Sequence, residues 1–297
     1  MIYLFGGQGS QLPEMGQDLL TFPEAKAVYD IAFAIHPDLE QILELTAEEL
    51  GQTKFSQPAI ALHQLALVRI MEERGRKPDA VMGLSIGEFA ALYAAGFLTL
   101  DAVIHVVLER ARLMSERLET RGEDGMLAVL GPKRDEIETV LEEHPKVSLA
   151  NINSPTQHVL SGALEDLHKI EADFTQARLV YLDVEGAFHS QVFDPCIEPF
   201  RKVLNEVRWQ EPRCFMPLNR TGEEAREIVR EMAEQLARPL EVDACFDALL
   251  ERFEEDEFVE FAAKPVLLPL LKRKNRRLDM HHIGTAKAME TWLEERA

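Results

Sequence analysis

The chain has 297 residues, 46% of them apolar and 28% charged, and its 52 acidic against 32 basic residues give a formal charge of -20. That length admits one large α/β domain or two domains, with the residue balance of a globular protein. The negative charge argues against a general nucleic-acid binder, and no apolar run approaches the roughly 18 residues of a membrane span.

Cys196, Cys214 and Cys245 are widely spaced, with no Cys-x-x-Cys. They read as reduced structural thiols of a cytosolic protein. The opening Met-Ile-Tyr-Leu-Phe-Gly-Gly has no basic region and is not expected to be a signal peptide, so a cytoplasmic location is expected. There are no repeats and no long Gly/Ser linker, so a second domain is expected as an insertion packed against the first.

In chain order, Ile2–Phe5 reads as a buried strand that runs into Gly6-Gly7-Gln8-Gly9-Ser10-Gln11. A loop at the C-terminal end of a parallel strand is where α/β sheets place ligands, although a plain glycine turn has the same look. Residues 23–34 and 57–74 read as helices, with Pro58 suited to a first-turn position. Ala80–Met82 is a short strand and Ile86–Ala95 an alanine-rich helix. Between them Gly83-Leu84-Ser85-Ile86-Gly87 fits Gly-x-Ser-x-Gly. On a strand-to-helix turn this pattern lifts the serine Oγ out of the sheet and leaves the next amide at a helix N-terminus, ready for an oxyanion.

The next helix, residues 101–118, puts Val103, Val106, Val107, Arg110 and Met114 on one face. Arg110 is thus a cation among apolar residues and needs an anion or a route to water. An internal ion pair would serve, and so would a substrate carboxylate gripped by two parallel hydrogen bonds. After Gly122 the pattern becomes strand 126–130, helix 133–143, strands 147–152 and 159–161, helix 164–175 and strand 178–184. That βαββαβ order is the ferredoxin-like unit. The expected architecture is therefore α/β: a large subdomain with a parallel sheet, residues 1–121 and 188–297, and an inserted ferredoxin-like small subdomain, residues 122–187.

The insertion ends in Glu185-Gly186-Ala187-Phe188-His189-Ser190. Among nine histidines, His189 stands out because it follows a strand and a glycine and opens a helix at 191–207. A loop histidine can equally be structural. Further on, a strand at 215–218, helices at 223–236 and 242–253, a strand at 257–261 and helices at 265–272 and 286–295 are expected. His281-His282 has no Cys or acidic cluster at ligand spacing, so no metal is expected. Lys272-Arg273-Lys274-Asn275-Arg276-Arg277 is the one dense basic cluster.

These motifs together resemble the malonyl-CoA:acyl-carrier-protein transacylases and the acyltransferase domains of fatty-acid and polyketide synthases, over nearly the whole chain. Gly7-Gln8-Gly9-Ser10-Gln11 is similar to that family's opening loop, and Gly83–Glu88 to its nucleophile motif. Arg110 follows Ser85 at the interval of its carboxylate-binding arginine. Asn151-Ile152-Asn153-Ser154-Pro155 resembles a small-subdomain segment, Gly186–Ser190 the catalytic-histidine motif, and Gln235 the glutamine that orients that histidine.

The resemblance implies an α/β-hydrolase-like core and a Ser85–His189 diad oriented by the amide or carbonyl of Gln235. It also implies an oxyanion hole from the amides of Gln8 and Ile86, with Arg110 pairing the malonate carboxylate. Phe188 and Leu84 would border the acyl group, with Asn153 nearby. The implied reaction is ping-pong transfer of malonyl from malonyl-CoA to the phosphopantetheine thiol of an acyl carrier protein, with no bound cofactor. The partner would be that carrier, docked at Lys272, Arg273, Lys274, Arg276 and Arg277, on a monomeric enzyme. An acyl hydrolase acting on carrier proteins and a non-catalytic carrier-binding subunit are the alternatives. Three departures stand out: Leu84 where the family usually has histidine, Gly7 where proline is common, and Ala262-Ala263-Lys264-Pro265 where Gly-Pro-Gly is usual.

Overall fold

The computed structural model describes residues 1–296, in two sheets. The first is parallel, in the order β2-β1-β7-β8, from β1 (Ile2–Phe5), β2 (Ala80–Gly83), β7 (Glu257–Phe261) and β8 (Asp279–Ile283). The second is antiparallel, in the order β4-β5-β3-β6, from β3 (Asp124–Leu130), β4 (Ser148–Ser154), β5 (Gln157–Ala163) and β6 (Arg178–Tyr181). With α6 (Arg134–Glu143) and α7 (Leu164–Ile170) in the crossovers, this is the expected ferredoxin-like unit beside a larger parallel-sheet unit.

Strands β1 and β2 are buried throughout, as runs without alternation must be when both faces of a parallel sheet are covered. Tyr3 and Phe261 meet edge to face at 4.8 Å between ring centroids, tying β1 to β7 inside the main core. Around this sheet lie α1 (Pro23–Ile35), α2 (Ala47–Gly51), α3 (Thr53–Glu73), α4 (Gly87–Ala94) and α5 (Leu100–Glu119). The chain after the small sheet adds α8 (Asp194–Glu206), α9 (Ile228–Glu234), α10 (Val242–Phe253), α11 (Leu267–Lys274) and α12 (Ala286–Glu294). The apolar face expected on α5 is buried in full, Arg110 included. Among the described residues no helix is long and apolar enough to cross a membrane.

Several expected elements differ. Helix α3 starts at Thr53, so Pro58 lies in its second turn rather than its first. The carbonyl left without its helical donor belongs to exposed Lys54, where water can replace the bond. The strand expected at 215–218 is reduced to two isolated bridges, Phe215 with Ala80 and Pro217 with Glu224. Pro217 has no N–H to extend a ladder, and Met216 and Leu218 instead bond Ala225 and Glu223. The expected helix 223–236 loses its first turn to that pairing and begins only after Glu227, whose φ is +46°. Strand β6 stops at Tyr181 because the chain turns tightly between Leu182 and Val184. Helix α11 starts two residues late because the buried Glu260 carboxylate caps the amides of Val266, Leu267 and Leu268 at 2.7–2.8 Å. Strand β8 has too little apolar alternation to have been expected.

The small sheet is also bonded to the chain beyond Gln235. Edge strand β4 bonds the segment after Gln235: Ile152 N–H donates to Leu240 O at 2.8 Å and Leu240 N–H to Ala150 O at 2.9 Å.

Candidate active site

Strand β2 turns into α4 at Ser85, whose φ is +52°. An L-residue held there stores roughly 1–3 kcal/mol. The flanking glycines make the turn feasible: a Cβ at Gly83 would collide with the Gly87 backbone, and one at Gly87 with the carbonyl of Phe5. Leu84 N–H bonds Phe5 O at 2.9 Å, so the elbow is fastened to the end of β1. From another loop, Asn219 clamps it on both sides, accepting from Ser85 N–H at 2.8 Å and donating through Nδ2 to Gly83 O at 2.6 Å.

His189 also has a positive φ, +56°, and is 4% exposed. The hydroxyl of Ser190 donates to Ala187 O at 2.6 Å and holds this loop closed. Nδ1 of His189 lies 2.6 Å from Gln235 O, and Nε2 lies 2.9 Å from Ser85 Oγ. A carbonyl can only accept, so Nδ1 carries the proton and Nε2 presents its lone pair to the serine hydroxyl. Burial, and after it the nearby Arg110 charge, push His189 down to about 3, so the imidazole is neutral at physiological pH. The group that orients it is the backbone carbonyl of Gln235, not the side-chain amide.

That amide is engaged elsewhere. Its Oε1 accepts from Arg110 Nη2 at 2.9 Å, while its Nε2 donates to Ser85 O at 3.1 Å and to the Glu88 carboxylate. Arg110 is 1% exposed, beneath the serine: Nη2 reaches Ser85 Oγ at 3.2 Å, and the guanidinium sits 5.5 Å from the Phe89 ring centroid. Burial lowers the guanidinium to about 9, which leaves it cationic at neutral pH. Its Nε and Nη1 donate to no protein group among the described residues, and no carboxylate forms an ion pair with it. A buried cation with unpaired donors beside a nucleophile has the chemistry to receive an anionic group.

The amides of Gln8 and Ile86 likewise carry no hydrogen bond among the described residues. Lys264 N–H donates to Ser10 O at 3.0 Å and pins the loop that presents Gln8. Phe188 is buried and stacked on Phe193 at 5.8 Å. Leu84 is buried, and a Cβ at Gly7 would lie 2.6 Å from its carbonyl oxygen and 3.2 Å from its Cγ. Two of the departures in the sequence therefore touch one another.

Asn153 lines a recess of about 450 Å³ with Gln157, Asp243, Arg273 and Lys274. Lys272, Arg273, Arg276 and Arg277 are exposed, and Lys274 is held by Asp243 and Asp247 at 2.5 and 2.8 Å. Near His281, Glu257 and Asp279 could complete a metal site, but the Arg296 guanidinium already lies 2.6 Å from Glu257 and 3.1 Å from the His281 ring. The residues the sequence left unassigned are Glu88 and Asn219. An acid at the head of the apolar run Phe89-Ala90-Ala91-Leu92 was the available signal for Glu88; Asn219 had none.

A strained serine facing a neutral imidazole is equipped for acyl transfer through a serine ester, and this puts the molecule in the class of serine acyl-transfer proteins. More narrowly, the chain belongs to the acyl transferase domain family, whose model matches residues 2–291. It is 31% identical over 301 residues to the "Malonyl CoA-acyl carrier protein transacylase" of Bacillus subtilis, covering 97% of this chain and 94% of that protein. The crystal structure of the malonyl CoA-acyl carrier protein transacylase from Clostridium perfringens superposes with a TM-score of 0.90 at 28% identity, over 99% of this chain and 96% of that one. A malonyl-transacylase solved in complex with its type II PKS acyl-carrier protein matches with a TM-score of 0.90 at 26% identity, over 99% of both chains.

Proposed function

We propose that the protein transfers a malonyl group from malonyl-CoA to the phosphopantetheine thiol of an acyl carrier protein, in fatty-acid or polyketide synthesis. The observation that carries this is the open donor edge of Arg110, fixed beside Ser85 Oγ. It gives a free carboxylate on the acyl group a partner, which neither a general esterase nor a carrier-binding subunit would use.

Nε2 of His189 takes the Ser85 proton as Oγ attacks the thioester carbonyl. The amides of Gln8 and Ile86 hold the oxyanion, and the carbonyl of Gln235 stabilises the imidazolium through Nδ1–H. The C–S bond breaks, His189 returns its proton to the CoA sulfur, and malonyl remains on Ser85. The carrier thiol then attacks the ester, passing its proton through His189 to Ser85. Arg110 pairs the malonate carboxylate in both halves. Phe188 and Leu84 border the acyl group, and Asn153 contributes to holding the substrate. Residues 122–187 form the inserted subdomain, and residues 1–121 and 188–297 the core. The carrier, an acidic protein, docks on Lys272, Arg273, Arg276 and Arg277. The reaction belongs in the cytoplasm, on a monomer.

Intact mass after incubation with malonyl-CoA tests this. A malonyl adduct that persists, transfers to a carrier protein and is lost in Ser85→Ala is expected. Rapid release of free malonate without a carrier, or no adduct at all, would overturn it.

A further inference from the structure

Glu88, in the first turn of α4, is 1% exposed, and both its oxygens are engaged. Oε1 accepts from Asn219 N–H at 2.7 Å, and Oε2 accepts from Gln235 Nε2. Gln235 Oε1 in turn accepts from Arg110 Nη2 at 2.9 Å. The hydrogen bonds therefore run in one direction from the guanidinium, through the amide, to the carboxylate. A side-chain amide is nearly symmetric in shape, so its two ends can exchange. Gln235 is kept from exchanging by acceptors on one side and a donor on the other: the ionised Glu88 carboxylate and the Ser85 carbonyl only accept and draw the NH2 end, while Arg110, which only donates, takes the oxygen.

We propose that Glu88 is a positioning residue for acyl-group selection, which together with the Ser85 carbonyl fixes the polarity of the Gln235 amide and thereby holds Arg110 with its donor edge open to a substrate carboxylate. This rests on the malonyl-transfer reading above. The arrangement differs from a direct ion pair in a useful way. A carboxylate bonded straight to Arg110 would occupy the donors that malonate needs. Placed one residue away, it balances the buried charge through space and leaves those donors free.

The charged and titratable groups around Glu88 are Arg110 on α5, Arg220 beside Asn219, and the Cys245 thiol on α10, which burial keeps protonated. Burial pushes Glu88 up to about 7, against the bonds from Asn219 and Gln235 and the charges of Arg110 and Arg220. Above that pH it is a pure acceptor. Below it the carboxyl has a proton to donate and no longer draws the NH2 end, so the amide is held against Arg110 by the Ser85 carbonyl alone and more weakly.

The test compares malonyl-CoA and acetyl-CoA as donors to wild-type protein and to Glu88→Gln. In the variant a second NH2 enters the chain, and one contact becomes donor against donor. The malonyl-to-acetyl ratio of kcat/KM is expected to fall by about tenfold or more, the size of one hydrogen bond to a charged group. In an Arg110→Ala background the same substitution is expected to leave the ratio where it is. An unchanged ratio in the single variant, or equal losses on both donors, would overturn the proposal and leave Glu88 a merely structural role.

Should Glu88→Gln fail to fold, the wild-type ratio is followed from about pH 8 to about pH 6. It is expected to fall as Glu88 takes up a proton, while acetyl transfer, whose base His189 stays neutral, shows no such limb. A flat ratio overturns the proposal. Failure of the wild-type protein to form the malonyl adduct, read on the same sample, counts instead against the proposed function.

Discussion

Arg110 and the cluster Lys272–Arg277 are two concentrations of positive charge on a chain of net charge -20, and they are built in opposite ways. Arg110 is 1% exposed, backed by Phe89 and aligned by the amide of Gln235. The cluster is mostly exposed on and just after α11, and Arg276 and Arg277 form no ion pair among the described residues. A buried cation in a fixed frame discriminates one ligand shape from another, because a ligand without the matching carboxylate leaves it unpaired. An exposed group is screened by salt, free to reorient, and acts mainly on encounter. Substitutions in the two regions should therefore fail differently, in size and in the rate constant affected.

The largest effect is expected at Arg110. Arg110→Ala should lower kcat/KM for malonyl-CoA by roughly 100-fold more than for acetyl-CoA, corresponding to about 2–5 kcal/mol for one partner of a buried, hydrogen-bonded charge pair. Arg110→Lys should recover little of it, since an ammonium cannot offer parallel N–H donors. Equal losses on the two donors would erase the distinction drawn above. Gly7→Ala gives a smaller effect of another kind. Its Cβ would press on the Leu84 carbonyl and shift the Gln8 amide. Losing one oxyanion donor costs about 10²–10³-fold in kcat. A displaced rather than deleted donor should lower kcat by about tenfold, for malonyl and acetyl alike and with KM little changed.

Much of this was legible in the sequence because it is local. The elbow, the burial of the α5 face and the βαββαβ order all follow from residue spacing. What escaped is what only tertiary structure brings together. Asn219 braces Ser85 across 134 positions of chain, and Gln235 reaches Ser85 across 150. The part of Gln235 that orients His189 is its backbone, which every residue type shares, so composition could not separate it from the side chain. Residues 215–227 misled for a related reason. Their apolar and helical patterns are genuine, but Pro217 and the left-handed Glu227 divert the chain into a turn. Asn153 read as part of the site because its motif is; in the fold it lines a recess with Arg273.

The smallest expected effect belongs to the exposed cluster. Arg276 and Arg277 suit the test because neither holds the fold together through an ion pair, whereas Lys274 is tied to Asp243 and Arg273 to Gln157. Reversing both to glutamate removes two positive and adds two negative charges on a chain of net charge -20. KM for the carrier protein is expected to rise about three- to tenfold at low ionic strength, on the scale of about 1 kcal/mol for exposed charges. The difference should shrink as salt rises, because these charges sit in water where a Debye length is about 8–10 Å at physiological ionic strength. Salt should have no such hold over the Arg110 variants, whose charge lies beneath the serine and outside the reach of mobile ions. A salt-independent rise in KM after charge reversal would mean that the cluster makes fitted contacts with the carrier, and the contrast between the two regions would be one of location rather than of kind.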